Sequence, residues 1–206
     1  GHYDHSDGVP KIVARSGAKV FLFREDIKYL KGFTPDFYFH DGDIIRLGNS
    51  FSAEFIRVNH SIADSYALCI NTPVGRIVHS GDFKIDYTPI QGEMIDLARF
   101  AELGRQGVLC LLSDSTNAER PGFTPSERKV GESLEYIFTK HPDKRLVIAT
   151  FSSNVHRVQQ IIDISARHGR KVVVTGRSMI NIVGAAVELG YMNVPAGGLI
   201  DINEAK

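Results

Sequence analysis

Cysteine is scarce in this chain: Cys69 and Cys110 are the only two in 206 residues. Two cysteines cannot staple a chain of this length, so a disulfide scaffold is excluded. Both lie in apolar runs, 66–70 and 108–112, where a free thiol acts as a small core hydrophobe, and reduced cysteines imply a cytoplasmic setting. Net charge is lacking as well, because 24 basic residues are balanced by 24 acidic ones. No global positive field draws in a polyanion, and any nucleic-acid affinity has to come from a local cluster. No apolar segment is long enough to span a bilayer, and there is no repeat or low-complexity tract. What remains, with 43% hydrophobic residues, is a soluble chain able to bury a substantial core.

Against these absences stands a concentration of metal-ligand side chains in Gly1-His2-Tyr3-Asp4-His5, followed by the loop-forming Ser6-Asp7-Gly8. Two imidazoles and a carboxylate within four positions are the nitrogen and oxygen donors that an ion such as zinc favours. A frayed, tag-like terminus would look the same if the cluster stood alone. Two later residues add to it. His60, in Val58-Asn59-His60-Ser61, and Asp82, in His79-Ser80-Gly81-Asp82-Phe83-Lys84, each sit where a hydrophobic strand stops. That is where sheet-based enzymes present their chemistry. Taken singly, His60 reads as a hydrogen-bonding residue after a strand and Asp82 as a turn aspartate capping its own backbone.

In order and spacing these residues resemble the metallo-β-lactamase superfamily. Residues 1–5 are similar to the last five residues of its His-x-His-x-Asp-His motif, and His60 and Asp82 match the next two ligand motifs. Leu112-Ser113-Asp114-Ser115-Thr116-Asn117 resembles motif A of the β-CASP branch, whose members cut nucleic acid. The wording of 57–62, 79–84 and 149–157 is close to bacterial ribonuclease J. The resemblance covers essentially the whole chain. It implies a hydrolase with two zinc ions per complete active site. His2 and His60 would hold one ion, Asp4 and His5 the other, and Asp82 would bridge them. Asp4, Asp82 and Asp114 would form the catalytic set, Asp114 by orienting a histidine or the substrate. RNA is the implied substrate, cleaved endonucleolytically and 5′ to 3′ exonucleolytically in mRNA decay and rRNA maturation. Dimers or tetramers of the full-length protein and an RNA-degradation complex are the implied partners. The motif's first histidine and a later histidine ligand are not in this chain, so the chain is expected to be a central fragment, inactive by itself.

The order of elements supports two halves. Val9 to Ser16 is expected to be a short helix stopped by Gly17, Lys19 to Phe23 a buried strand, and Arg24 to Lys31 a polar helix. Short strands follow at 37–39, 44–47 and 51–58, their aromatics in the core. A hairpin over 66–79 delivers Asp82. Beyond Tyr87 the pattern becomes a helix at 94–103, an apolar strand at 108–112, and a capping box Thr124-Pro125-Ser126-Glu127 opening a helix to about Lys140. Strand and helix then alternate: strands at 145–150 and 171–175, helices at 155–168 and 178–189. The expected class is α/β, an α+β metallo-β-lactamase-like part over 1–88 and a parallel-sheet α/β part of β-CASP type over 89–206, both incomplete.

Ser152, Ser153 and Asn154 offer hydroxyls and free N–H groups at a helix N-terminus, with Arg157 on its first turn, an arrangement suited to an RNA phosphate. Ordinary helix capping explains the same residues. Asp114 likewise reads either as a site residue or as a cap for Ser115 and Thr116. Two other functions stay open: a hydrolase of the same fold acting on DNA or a small molecule, and a catalytically inactive RNA-binding module.

Overall fold

Alternating hydrophobic residues in three successive stretches build the central sheet of a computed structural model that describes residues 7–23, 34–61, 65–90, 92–188 and 190–205. After the helix α1 (Val9–Ser16), ended by Gly17 in the left-handed region (φ 63°), come the short parallel strands β1 (Phe21–Phe23) and β2 (Phe37–Phe39). The sheet proper has the order β3-β4-β5-β6-β7, with β3 Ile44–Leu47, β4 Phe51–Val58, β5 Ser65–Thr72, β6 Gly75–His79 and β7 Cys110–Leu112. The first four run antiparallel, and β7 joins β6 in parallel with Ile77 opposite Cys110. The turn between β5 and β6 is locked by Thr72, whose hydroxyl donates to the Gly75 carbonyl at 2.7 Å. The helix expected at 24–31 lies outside the described residues.

The inward residues of β4, β5 and β6 form one core: Ile56, Val58, Ala67, Cys69 and Val78, closed by Ile95 and Leu103. Burial pushes the Cys69 thiol up from its ordinary value, so it stays protonated and inert. Leu103 belongs to α2 (Leu97–Gln106), which Asp96 caps by accepting from the Arg99 N–H at 2.9 Å. Arg99 then reaches the sheet and makes a bidentate pair with buried Glu54 at 2.6 and 2.9 Å.

Two compact units result, Gly1–Tyr87 with Glu93–Thr124, and Thr88–Gly92 with Pro125–Lys206. The expected division at 88/89 therefore differs from the observed one by the segment carrying α2 and β7. That segment stays with the first unit because Leu103 fills its core and β7 extends its sheet. As the sheet's last strand, β7 is exposed, Cys110 included, where the sequence predicts a doubly covered strand and a core thiol. Of the aromatics at 37–39, only Phe39 is buried, stacked on Phe55.

The second unit contains α3 (Glu127–Lys140), α4 (Val155–Arg167) and α5 (Arg177–Glu188), with the parallel pair β8 (Val172–Val173) and β9 (Leu199–Ile200). Leu134 and Phe138 of α3 pack on Ile161 and Ile164 of α4, while Val158 and Ile162 of α4 pack on Val183 and Ala186 of α5. The helix α3 starts two residues later than its capping box predicts. Ser126, extended at φ −60° and ψ 148°, is itself a capping residue and accepts from the Arg128 N–H. No strand forms over 145–150: the segment has no ladder partner among the described residues, and Val147 is 92% exposed. Hydrophobic residues alone do not make a strand without a neighbour to pair with.

Candidate metal centre

The site assembles where β4 and β6 end. Asn59 and Lys84 form an antiparallel bridge just past those strands, which brings the residue after Asn59 and the loop before Lys84 side by side. The Nε2 atom of His60 and Oδ2 of Asp82 are consequently 3.6 Å apart, both side chains partly buried. The loop that carries Asp82 is tightly specified. Gly81 has φ +59°, and a Cβ there would lie 2.8 Å from the Tyr66 carbonyl oxygen of β5, so only glycine fits without distortion. The Gly81 N–H donates to Nδ1 of His79 at 3.1 Å, which leaves the neutral ring's proton on Nε2.

Asp114 enters the same region from the end of β7. The Ser80 N–H continues the ladder by donating to the Leu112 carbonyl at 2.9 Å, and the Ser80 hydroxyl accepts from the Asp114 N–H at 2.8 Å. Two loops far apart in sequence are thereby tied together through one buried serine. The Asp114 carboxylate accepts from the Thr116 hydroxyl at 2.6 Å and the Thr116 N–H at 2.9 Å. Those bonds, followed by one from the Phe83 N–H and the field of nearby His60, hold its pKa below the ordinary aspartate value. Both readings of Asp114 meet in this geometry: it caps its own turn, and it faces the Asp82 loop.

Of the five predicted metal ligands, the structure brings together His60 and Asp82; His2, Asp4 and His5 lie outside the described residues. Among the described residues no group of three or more His, Cys, Asp or Glu side chains is gathered as a metal would require. The predicted phosphate-binding group belongs to the second unit. Asn154 caps α4 by accepting from the Arg157 N–H at 3.0 Å, and the Ser152 hydroxyl bonds to that of Ser178 at 2.8 Å, joining the starts of α4 and α5. Arg157 makes a bidentate pair with Glu127 at 3.1 and 2.6 Å. Its charge is thus already matched by a carboxylate, and the capping reading accounts for the Asn154 and Arg157 contacts.

Comparison with known proteins adds the family. Residues 143–206 match the family model described as "Ribonuclease J, beta-CASP domain". The chain is 53% identical over 164 residues to ribonuclease J of Synechocystis sp., covering 80% of this chain and 26% of that protein. It is 39% identical to ribonuclease J of Thermus thermophilus, over 94% of this chain and 36% of the relative. It is also 40% identical to that of Mycobacterium tuberculosis, over 100% and 38%. Along most of its length the chain is thus similar to ribonuclease J, and residues 143–206 carry part of that family's beta-CASP domain. It spans roughly a quarter to two fifths of the length of these relatives. A solved structure, a protein of unknown function from Enterococcus faecalis V583, superposes with a TM-score of 0.60 at 15% identity, over 91% of this chain and 50% of that one, which shows a shared fold.

That similarity implies a divalent metal cofactor, and the described part of the site fits one. Bonds of about 2.0–2.2 Å from nitrogen and oxygen donors in a tetrahedral shell put neighbouring donors roughly 3.3 Å apart. The 3.6 Å between His60 and Asp82 is close to that spacing. What sequence reading missed is the support: Ser80, the His79 ring as acceptor, and the Phe83 N–H. Their signal was present in 79–84, a run of small, polar and aromatic residues between strands, but nothing in the run names the partners.

Proposed function

We propose that this chain carries part of the active site of a metal-dependent ribonuclease. The carrying observation is the convergence of His60 and Asp82 at two strand ends, with Asp114 tied to the same loop through Ser80. His60 and Asp82 would hold zinc, with His2, Asp4 and His5 completing the two-ion set by family resemblance. Asp82 suits the bridging position because its two oxygens can each face one cation. Bound there, a pair of divalent ions supplies a nucleophile at neutral pH and neutralises charge on the phosphate. The chain's own contribution is placement. Gly81 and the Tyr66 carbonyl fix where Asp82 points. Asp114, kept ionised by Thr116 and Phe83, presents a fixed negative charge that orients a histidine or the substrate. The unit of residues 1–87 and 93–124 then supplies metallo-β-lactamase-like chemistry, and the unit of 88–92 and 125–206 β-CASP structure.

The substrate in this reading is RNA, cut internally and from the 5′ end in mRNA decay and rRNA maturation in the cytoplasm, by a protein that assembles as dimers or tetramers and joins an RNA-degradation complex. No helix among the described residues is long and apolar enough to cross a membrane. The test replaces Asp82 by alanine and assays matched RNA and DNA oligonucleotides with added zinc. RNA cleavage by the full-length protein should fall by several orders of magnitude in Asp82→Ala, and the DNA strand should be cut poorly by either form, since the 2′-hydroxyl distinguishes the two. Undiminished cleavage by the variant would sink the mechanism; equal cleavage of DNA would sink the substrate assignment.

A further inference from the structure

We propose that Asn59 is a positioning residue for the metal centre, its side-chain amide bracing the end of β4 so that His60 stays in register with Asp82. The inference rests on the metal reading above. Three segments meet at this one residue. Its main-chain carbonyl accepts from the Lys84 N–H at 2.7 Å, two positions past Asp82. Its side-chain Nδ2 donates to the Glu93 carbonyl at 2.7 Å, and its Oδ1 accepts from the Ile95 N–H at 2.9 Å. The amide therefore replaces a strand partner for 93–95, a segment anchored by Ile95 in the core of the first unit.

The chemistry of the contact selects asparagine. One planar group has to donate in one direction and accept in the other, at a reach of two side-chain bonds; aspartate lacks the donor, and serine lacks the second arm. Arg57, two positions earlier on the same strand, reinforces the link. Its Nε donates to the Met94 carbonyl at 3.2 Å, and its guanidinium pairs with Glu93 at 2.8 Å and with Asp41. The end of β4 is thus held from its side chains as well as by its ladder, immediately before His60. A stabilising network of this kind is not needed for β4 itself, which pairs with β5 along seven residues. What it adds is a fixed position for the residue after it, and supports of this type typically account for 10–100-fold in metal affinity.

The experiment compares Asn59→Leu, which keeps the branched side-chain shape and removes both amide bonds, with Asp82→Ala and Leu103→Ala in the full-length protein. Cobalt and zinc affinities, the visible spectrum of the cobalt form and the melting temperature are measured for each. Asn59→Leu should bind both ions 10–100-fold more weakly and change the cobalt band. Leu103→Ala, which loosens the same core without touching the brace, should lower the melting temperature and leave the cobalt band as in the parent. A folded Asn59→Leu protein with parental affinity and spectrum overturns the proposal, as does a Leu103→Ala spectrum altered to the same degree. Asn59→Ala takes the place of the leucine variant if the latter does not fold. Asp82→Ala separates the two levels: parental affinity in that variant removes the metal reading itself, whereas weakened binding there with intact binding in Asn59→Leu removes only the brace.

Discussion

Gly81 is where a single missing atom decides the geometry of the site. Its φ of +59° is a region that side chains rarely adopt, and an added Cβ would meet the Tyr66 carbonyl at 2.8 Å. That oxygen belongs to β5 and cannot yield without disturbing the ladder. Gly81→Ala should therefore cost about 1–3 kcal/mol of stability and shift Asp82 from His60. The check is a melting curve paired with a zinc titration: unchanged values for both would mean that the loop adapts freely. Asp114 makes a different prediction, in pH. Its folded-state pKa lies below the ordinary value, so its bonds to Thr116 stabilise the fold above the unfolded aspartate's pKa, about 3.9, and that contribution is lost as the pH falls through the lower, folded value. Thr116→Val removes the largest cause of the shift. The Asp114 carboxyl in that variant should titrate closer to 3.9, measurable by carboxyl NMR, and the variant should have a stability deficit at pH 7 that shrinks on acidification toward pH 2–3. A deficit of the same size at both pH values would place the threonine's role elsewhere.

Elements in this chain are joined by charged side chains as much as by apolar ones. Arg99 connects α2 to β4 across a span of 45 residues, pairing with Glu54, which is only 6% exposed, and with Glu102 on its own helix. The hydrogen bonds to Glu54 and then to Glu102 raise the guanidinium pKa further above its already high ordinary value, so the arginine stays charged. Removing one partner of a buried pair is far more harmful than never having had it, because the other charge stays desolvated. Arg99→Met should lower stability by about 3 kcal/mol, the low end for such pairs because the arginine side chain is 27% exposed. Replacing Glu54 by leucine in the same molecule should recover most of that loss in a denaturant titration. A double variant no more stable than Arg99→Met would show that the pair is more than a charge and its compensation. Sequence reading could not have found this link. Periodicity in 97–106 marks a helix with an apolar face, and alternation in 51–58 marks a strand, but neither says which helix lies on which strand. Local signals fared better: the hairpin over 65–79, the glycine after α1 and the asparagine cap of α4 are legible because each depends on residues within a few positions.

Across the whole molecule, the failures of sequence reading share a cause, which is long-range pairing. The apolar run at 108–112 belongs to the first unit only because β7 pairs with β6, and the equally apolar run at 145–150 forms no strand because no described neighbour pairs with it. The meeting of His60 and Asp82 was legible from motif order, whereas the ion pair of Arg157 was not, because its partner Glu127 stands 30 positions away. The same partition of contacts predicts how the chain loses structure. The core around Ile56, Cys69 and Leu103 shares no residue with the clusters around Ile162 and Phe138. Ile162, 1% exposed, touches α5 through Val183 and Ala186, and truncating it leaves a cavity that only the second unit can feel. Ile162→Ala should cost about 2–5 kcal/mol, concentrated there. Amide exchange is the measurement, since it resolves local opening from global unfolding. Amides of α4 and α5 should exchange faster by orders of magnitude while those of β4, β5 and β6 keep their parental rates. Uniform acceleration through both sets would show one cooperative core, and the two clusters would then be a division of contacts without a division of stability.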